Sequence, residues 1–327
     1  MTYARPVNPI FFTDITNCLK INGGAKTDIL TDRAGVYNSG SDKFDLFDLN
    51  PQNVCSFATS GNTTTHIVIE IDLGDSGASV DYCAILNHNL VTAEAEVRIA
   101  HRGVPIEVAG QGTEVASTVN ILNSTTGVDH IAGLADGDTM FSFTSSSDRY
   151  WSIEITDQTG FSATDLFMGA VMLGEKYSIP LSPDMNINHS FSFDGVNIST
   201  GLSGKRHSNP SWIKANNTTE AAGNYIPFRL DVGAQQLPGR ESYSLSYPVI
   251  QDTDLLPSDL GAPSGDSFAV NVMSKTGWNA LPFIMGVDST STTQGDYIFC
   301  RFRDNSYSLT QIASKVHSTS FSVDQEF

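Results

Sequence analysis

The sequence predicts an all-β fold. Short runs of alternating apolar and polar residues, separated by Gly, Ser, Thr, Asn and Asp, recur throughout the 327 residues, and helical periodicity is almost absent. In segment 66–74, three isoleucines and Leu73 alternate with mostly polar residues. A period of two places these apolar side chains on one face, so we expect a half-buried strand that ends at Gly74.

Further strands are predicted in the first half from the same alternation. Segment 93–100 places Ala95, Val97 and Ile99 on one face and charged residues on the other. We expect the charged face to be exposed to solvent. Segment 166–173 is apolar on both faces, as in a central strand covered on both sides. The remaining first-half strands are expected at residues 81–87, 139–144 and 149–156.

The chain is long for a single sandwich, so two domains are expected. Pro180 and Pro183 end the preceding strand and stiffen a connection, which places the boundary near residue 178, between domains 1–178 and 179–327. A short helix is expected at 252–260 or 274–280. Strands of the second half are expected around Phe191 and Phe193 and at residues 226–232, 242–248, 267–273, 296–303 and 312–323.

Composition restricts the classes of partner. The formal charge is −18, from 36 acidic and 18 basic residues, which disfavours specific nucleic-acid binding. No apolar run is long enough to cross a bilayer, and the start has no charged then apolar leader, so we expect no membrane insertion and synthesis in a cytoplasm. The four cysteines lie far apart and are expected to be buried thiols.

Four segments of the first half carry a resemblance to a known family. They are Ile71-Asp72-Leu73-Gly74, then Ile85-Leu86-Asn87-His88-Asn89-Leu90, then Arg149-Tyr150-Trp151-Ser152-Ile153, and the closing Met168-Gly169-Ala170-Val171-Met172-Leu173-Gly174. In this order they resemble the galactose-binding-like, or discoidin-like, jelly-roll sandwich over residues 15–175. With the Tyr177-Ser178-Ile179-Pro180-Leu181 that follows, the likeness is strongest to the discoidin-like domains of tailed-bacteriophage tail proteins.

The end of the chain also resembles phage tail proteins. Segments 281–285, 297–302 and 321–327 look like the carboxyl-terminal strands of minor or distal tail proteins, although those proteins commonly place the ring domain first. The resemblance implies a second β-barrel or sandwich domain of tail-protein type. It also implies a homo-oligomeric ring, sixfold as in tail architecture, that docks other tail proteins in the virion. Phe321 and Phe327 are interface candidates in the terminal strand.

The candidate binding residues follow the second resembling strand. His88, flanked by Asn87 and Asn89, offers donors and acceptors suited to sugar hydroxyls. The alternative is a polar turn whose side chains satisfy their own backbone. Trp212 and Trp278 lie in polar, loop-like sequence where an exposed aromatic is costly, so they are further interface candidates.

We expect no cofactor and no catalytic residues. The seven histidines are scattered and form no nucleophile elbow, zinc motif or phosphate loop. The resemblance allows a structural Ca²⁺ held by early acidic residues, but no spacing forms a calcium loop, and we favour a solvated acidic loop. The residues concerned are Asp28, Asp32, Asp42, Asp45 and Asp48.

The leading hypothesis is therefore a structural component of a tailed-phage virion at the tail tip or baseplate, made in the bacterial cytoplasm. It would assemble with copies of itself and with other tail proteins, and its outer domain would contact host-surface glycan weakly. The first alternative is a carbohydrate-binding adhesin or receptor-binding protein. The second is a polysaccharide-degrading tail enzyme, which would need a carboxylate pair in a cleft.

Overall fold

The computed structural model describes most of the chain, and all statements below concern those residues. The described ranges are 8–21, 30–34, 37–59, 66–74, 78–93, 95–117, 129–130, 136–156, 165–184, 187–192, 196–200, 202–210, 240–257, 266–291, 294–306 and 308–326.

Eleven strands are described in the first half. They are β1 (Ile10–Asp14), β2 (Leu30–Ala34), β3 (Cys55–Phe57), β4 (His66–Asp72), β5 (Val80–His88), β6 (Glu96–Arg102), β7 (Thr113–Ser117), β8 (Asp129–His130), β9 (Gly137–Ser146), β10 (Tyr150–Thr156) and β11 (Leu166–Ser178). A short helix, α1 (Ile15–Ile21), follows β1 directly, and a 3₁₀ turn occupies Asp45–Phe47.

Eight strands are described in the second half. They are β12 (Asn188–Ser192), β13 (Val196–Thr200), β14 (Arg206–Pro210), β15 (Arg240–Gln251), β16 (Phe283–Gly286), β17 (Tyr297–Phe302), β18 (Ser308–Ala313) and β19 (Val316–Gln325). Helical structure is limited to α2 (Asp252–Leu255), a π-helical turn (Ala269–Met273) that runs into α3 (Ser274–Thr276), and a 3₁₀ turn (Gln294–Asp296).

The first half is a two-sheet sandwich, which confirms the predicted all-β fold class. One sheet has the order β2-β4-β10-β6-β7, and it faces the β1-β11-β5-β9-β8 part of a larger sheet. The core between them includes Phe141, Trp151, Ile153 and Val171, all at most 1% exposed. All strand pairs are antiparallel, and because most neighbouring strands are not consecutive in sequence, the chain crosses repeatedly between the two sheets. Alternating side chains of each strand reach the core.

Strand β1 joins the two halves of the chain. It pairs with β11 on one side, with Phe12 opposite Lys176, and with β16 on the other, with Phe12 opposite Ile284. The larger sheet therefore continues as β11-β1-β16-β17-β19-β15-β12 without interruption. The predicted domain boundary near 178 coincides with the end of β11 and stays a prediction.

The second half packs an aromatic core on this sheet. The ring of Phe321 stacks on that of Phe268 at 5.1 Å, and Phe302 contacts Phe283 at 4.7 Å. The strand predicted at 267–273 is wrong: this segment is helical. Phe268, Val272 and Thr276 are buried at intervals of four residues, which is a helical period.

Two further details differ from the sequence prediction. The outer face of β4 is buried, because Val68 and Glu70 are at most 2% exposed. The strand is therefore covered on both faces and not half-buried as predicted. The run predicted at 312–323 is a hairpin, in which β18 and β19 meet at a turn where Lys315 has a φ of 59°. The strand predicted at 226–232 lies outside the described residues.

A third apolar cluster lies on the opposite face of the larger sheet and spans both halves. Phe12, Tyr82 and Met172 belong to it together with Ile284 and Phe299, and all five are fully buried. In the part of the chain that the structure describes, no helix is long and apolar enough to cross a membrane.

Candidate functional site

Three strands of the smaller sheet bring polar side chains to one end of the sandwich. Asp72 at the end of β4, Tyr150 at the start of β10 and Arg102 at the end of β6 are direct cross-strand neighbours. The chain turns away after β4 at Gly74, whose φ of 66° suits glycine. We call this end, with His101, Ser146, Asp148 and Arg149, the rim site.

His101 is held in one orientation at the rim site. Its Nδ1 lies 2.5 Å from Asp148 Oδ2 and 3.2 Å from Ser146 Oγ. Its ring packs on Trp151 at 5.1 Å between centroids, and Trp151 Nε1 donates to the Asp148 carbonyl. In the neutral tautomer in which Nδ1 donates to this carboxylate, Nε2 is the acceptor of the ring.

Arg149 and Asp72 form the second part of the rim site. Arg149 Nε donates to Asp72 Oδ1 at 2.7 Å, and Nη2 donates to Oδ2 at 2.9 Å, a bidentate pair. Partial burial acts to raise the pKa of Asp72, but the Arg149 hydrogen bonds and the Gly74 N–H outweigh it, so this pKa lies below its ordinary value. The Arg149 guanidinium also lies 5.0 Å from the Tyr150 ring centroid, a cation–π contact.

A loop between β6 and β7 is fastened across the outer face of the smaller sheet. Glu70 Oε2 accepts from the Ile106 N–H at 2.5 Å, and Glu154 Oε2 accepts from the Gly110 N–H at 2.9 Å. Both glutamates are at most 2% exposed. Buried carboxylates need such donors, so these contacts fix the loop beside the rim site.

Gln111 connects this loop to the rim site. Its side-chain oxygen accepts from Arg102 Nη1 at 3.1 Å and from the Glu107 N–H at 3.0 Å. Sequence reasoning missed the rim site because its members are spread over three segments, at residue 72, residues 101–102 and residues 146–150. The signal in the sequence that could have identified this site is the charged Asp148-Arg149 pair, which directly precedes an apolar strand.

The rim site suits recognition of hydroxyl groups more than nucleophilic catalysis. A serine–histidine–carboxylate relay needs the serine and the carboxylate on different ring nitrogens. Here Ser146 and Asp148 both approach Nδ1 of His101. An imidazole edge, a guanidinium and an aromatic ring are the groups that bind polyhydroxylated ligands.

The predicted ligand-binding residues lie at the opposite end of β5 from the rim site. His88 is 2% exposed. Its Nε2 contacts Thr139 Oγ1 at 2.8 Å, while its Nδ1 accepts from the Leu90 N–H. Burial lowers the pKa of His88 to about 4. The ring is thus a neutral, internally bonded part of the fold.

The two neighbouring asparagines also bond within the chain. Asn87 has a φ of 52°, and its Nδ2 donates to the Pro51 carbonyl at 2.7 Å. Asn89 accepts from the Phe167 N–H and donates to the Asp165 carbonyl. These contacts match the alternative of a self-satisfying polar turn, and a ligand-binding role for residues 87–89 stays a prediction.

The interface and calcium candidates are dispersed. Trp278 and Phe321 are both partly buried against the second-half core, and Trp212 and Phe327 lie outside the described residues. Asp42 and Asp48 accept backbone N–H groups in their own turns, and Asp45 accepts from the Asp42 N–H.

Asp28 and the Asp32 side chain are likewise outside the described part of the chain. Among the side chains that the structure describes, no group of three or more His, Cys, Asp or Glu residues is placed to hold a metal ion.

Comparisons with known proteins give only a distant structural likeness. No protein-family model matches the chain, and no curated protein matches it. A chitosan-binding module of a chitosanase/glucanase from Paenibacillus sp. IK-5 shares 17% identity over 45% of this chain and 93% of its own, with a TM-score of 0.32. A CBM32 module of a family 31 glycoside hydrolase from Clostridium perfringens shares 14% identity over 45% and 94%, with a TM-score of 0.30.

A third solved structure is the CBM32 module of AlyQ in complex with 4,5-unsaturated mannuronic acid. It shares 22% identity, covers 44% of this chain and 92% of its own, and has a TM-score of 0.29. These neighbours are carbohydrate-binding modules. Since the TM-scores are too low to support an argument, the fold described above rests on the strand pairing of this chain alone.

Proposed function

We propose that this chain is a non-catalytic carbohydrate-binding protein and that the rim site is where it binds. The observation that supports this is the His101 imidazole, which Asp148 holds through Nδ1 and which packs on Trp151. It lies at the same end of the smaller sheet as Arg149 and Tyr150, on the opposite face from Tyr150. A preorganised ring of this kind accepts a hydroxyl hydrogen bond with little loss of side-chain entropy.

The local charges favour a neutral glycan over an acidic one. The charge of Arg149 is balanced by Asp72 through two hydrogen bonds, and Arg102 and Asp148 carry opposite charges, so the rim site has no excess positive charge to attract an acidic sugar. The whole chain carries −18, which disfavours the approach of polyanions at low salt.

The test is a glycan array followed by titration of the best neutral ligand. His101→Ala should weaken binding at least tenfold, which corresponds to loss of one well-placed hydrogen bond. The matched control is His317→Ala. His317 also faces an aspartate, Asp252, and its side chain is 15% exposed, as is that of His101.

The control variant should bind as the unmodified chain does, because His317 lies in β19 of the larger sheet, whereas the rim site lies at the end of β4, β6 and β10 in the smaller sheet. Equal loss of affinity in both variants, or no binding by the unmodified protein, would count against the proposal. Thermal unfolding of both variants separates loss of a contact from loss of the fold.

A second candidate function is the structural role in a tailed-phage virion, at the tail tip or baseplate. One observation favours it: β1 joins the sandwich and the second half within one continuous sheet, so the sandwich is fixed rather than tethered, as a docking scaffold requires. The chain would then form a ring, sixfold in the leading hypothesis, and dock other tail proteins after synthesis in a bacterial cytoplasm.

Electron microscopy of the purified chain, alone and with the products of neighbouring genes, tests this role. Rings or complexes with virion proteins would support it. A stable monomer that binds none of those products, from a gene far from any virion gene, would contradict it.

A further inference from the structure

Among the described residues, the hairpin of β18 and β19 leaves one strand edge open. In the part of the chain that the structure describes, β18 pairs with β19 alone. Five of its six residues are exposed. The outer N–H and C=O groups of such a strand form a template on which another strand can pair.

The composition of β18 does nothing to protect this edge. Proteins usually block an edge strand with lysines, inward charges or proline, yet residues 305–314 contain no Asp, Glu, Lys, Arg, His or Pro in a chain that is 17% charged. The one protective device in the described strand is a bulge between Gln311 and Ala313. There Ile312 is 52% exposed.

Two exposed apolar side chains lie near the outer end of the hairpin. Val249 in β15 is 58% exposed, and it lies in a second bulge, opposite the segment of β19 that also pairs with β18. The outer end of the hairpin thus presents exposed apolar side chains on both sides of β19. Only Ile312 lies on the open edge strand itself, since Val249 lies across β19. An exposed apolar side chain on an open edge favours strand addition over solvation.

We propose that two copies of this chain pair antiparallel through β18. A two-fold axis at Thr310 would place Thr310 opposite itself, Leu309 opposite Gln311, and Ser308 opposite Ile312. None of these pairs sets like charges against each other, which matters because the copies each carry −18 and would repel through most other surfaces.

This contact is isologous and closes at two copies, so it differs from the head-to-tail contacts of a ring. It does not depend on glycan binding. A dimer would present two rim sites and would therefore gain avidity for a multivalent surface.

The experiment is sedimentation velocity of the full chain over a range of concentrations. The unmodified protein should form a dimer, and Thr310→Lys should weaken dimerisation at least tenfold by setting two ammonium groups across the axis. The matched control is Ser320→Lys, since Ser320 is exposed but lies in β19, where β15 and β18 pair on both sides. This variant should dimerise normally.

A covalent test complements the mass measurement. Thr310→Cys should cross-link to a dimer under mild oxidation, whereas Ser320→Cys should not; the four described native cysteines are all buried. A monomeric unmodified chain, a dimer that Thr310→Lys leaves intact, or a Thr310→Cys protein that fails to cross-link would each overturn the proposal. Glycan affinity measured on the Thr310→Lys protein reports on the rim site separately.

Discussion

Replacing Gly174 by alanine should loosen the junction between the two halves of the sheet. A Cβ at this position would lie 1.9 Å from the Thr13 carbonyl oxygen and 3.2 Å from the Ile15 N. Both are backbone atoms, one at the end of β1 and one at the start of α1. Since real Cβ contacts are not shorter than 3.0 Å, β1 and β11 must separate by about 1 Å at this point.

The loss of stability expected for Gly174→Ala has two contributions. Overpacking of a close-packed interior costs about 1–3 kcal/mol. The separation also strains the hydrogen bond from the Leu173 N–H to the buried Asp14 carboxylate, which contributes about 1 kcal/mol. We therefore expect Gly174→Ala to lower the free energy of unfolding by about 3 kcal/mol.

Urea unfolding followed by tryptophan fluorescence measures this difference. The control is Gly295→Ala, because a Cβ there meets nothing within 4 Å and the backbone is not in the left-handed region; its effect should stay within about 0.5 kcal/mol. If Gly174→Ala unfolds within about 0.5 kcal/mol of the unmodified chain, the inference that β1 clamps the two halves fails.

Further predictions concern pH and the loop beside the rim site. Burial raises the pKa of Asp81 from 3.8 to about 6, so the folded state prefers the protonated carboxyl. The stability that this preference contributes is complete below pH 3.8 and is lost as the pH rises through 6. Asp81→Asn should therefore raise stability at pH 7 by about 1 kcal/mol after allowance for partial exposure. Burial lowers the pKa of His88 to about 4 from 6.5, so stability is complete above pH 6.5 and is lost as pH falls to 4. His88→Gln should remove that loss in urea titrations from pH 4 to 7, and an unchanged pH profile in either variant would refute the assignment. Glu70→Gln should weaken the hold on residues 103–112 and speed limited proteolysis there at least fivefold, whereas the exposed Glu107→Gln should leave the cleavage rate unchanged.

Most of the fold could be predicted from alternation of apolar and polar residues. Strands β4, β10 and β11 lie within a few residues of their predicted positions, because each buries at least one alternating apolar face. Segment 267–273 could not be assigned correctly from alternation. Phe268 and Val272 fit both a period of two and a period of four, and tertiary contacts with Phe11 and Phe321 decide between them.

The candidate site was harder to predict from the sequence than the fold was. His88 between two asparagines has the composition of a binding loop, but burial against Thr139 and Asp165 is a long-range property that no local pattern reveals. His101 is, conversely, inconspicuous in the sequence. Its partners Ser146 and Asp148 approach it only because β6 and β10 pair, and strand pairing across 50 residues was not predicted.

The position of β1 in the sheet also bears on the order of folding. Residues 10–14 leave the ribosome well before their partners, residues 174–178 and 284–286. Closing loops of this length is slow, so Phe11 and Phe12, both fully buried in the finished protein, must stay uncovered during much of synthesis. We expect the nascent chain to need chaperone protection, and fragments that end near residue 178 to aggregate through the bare second edge of β1.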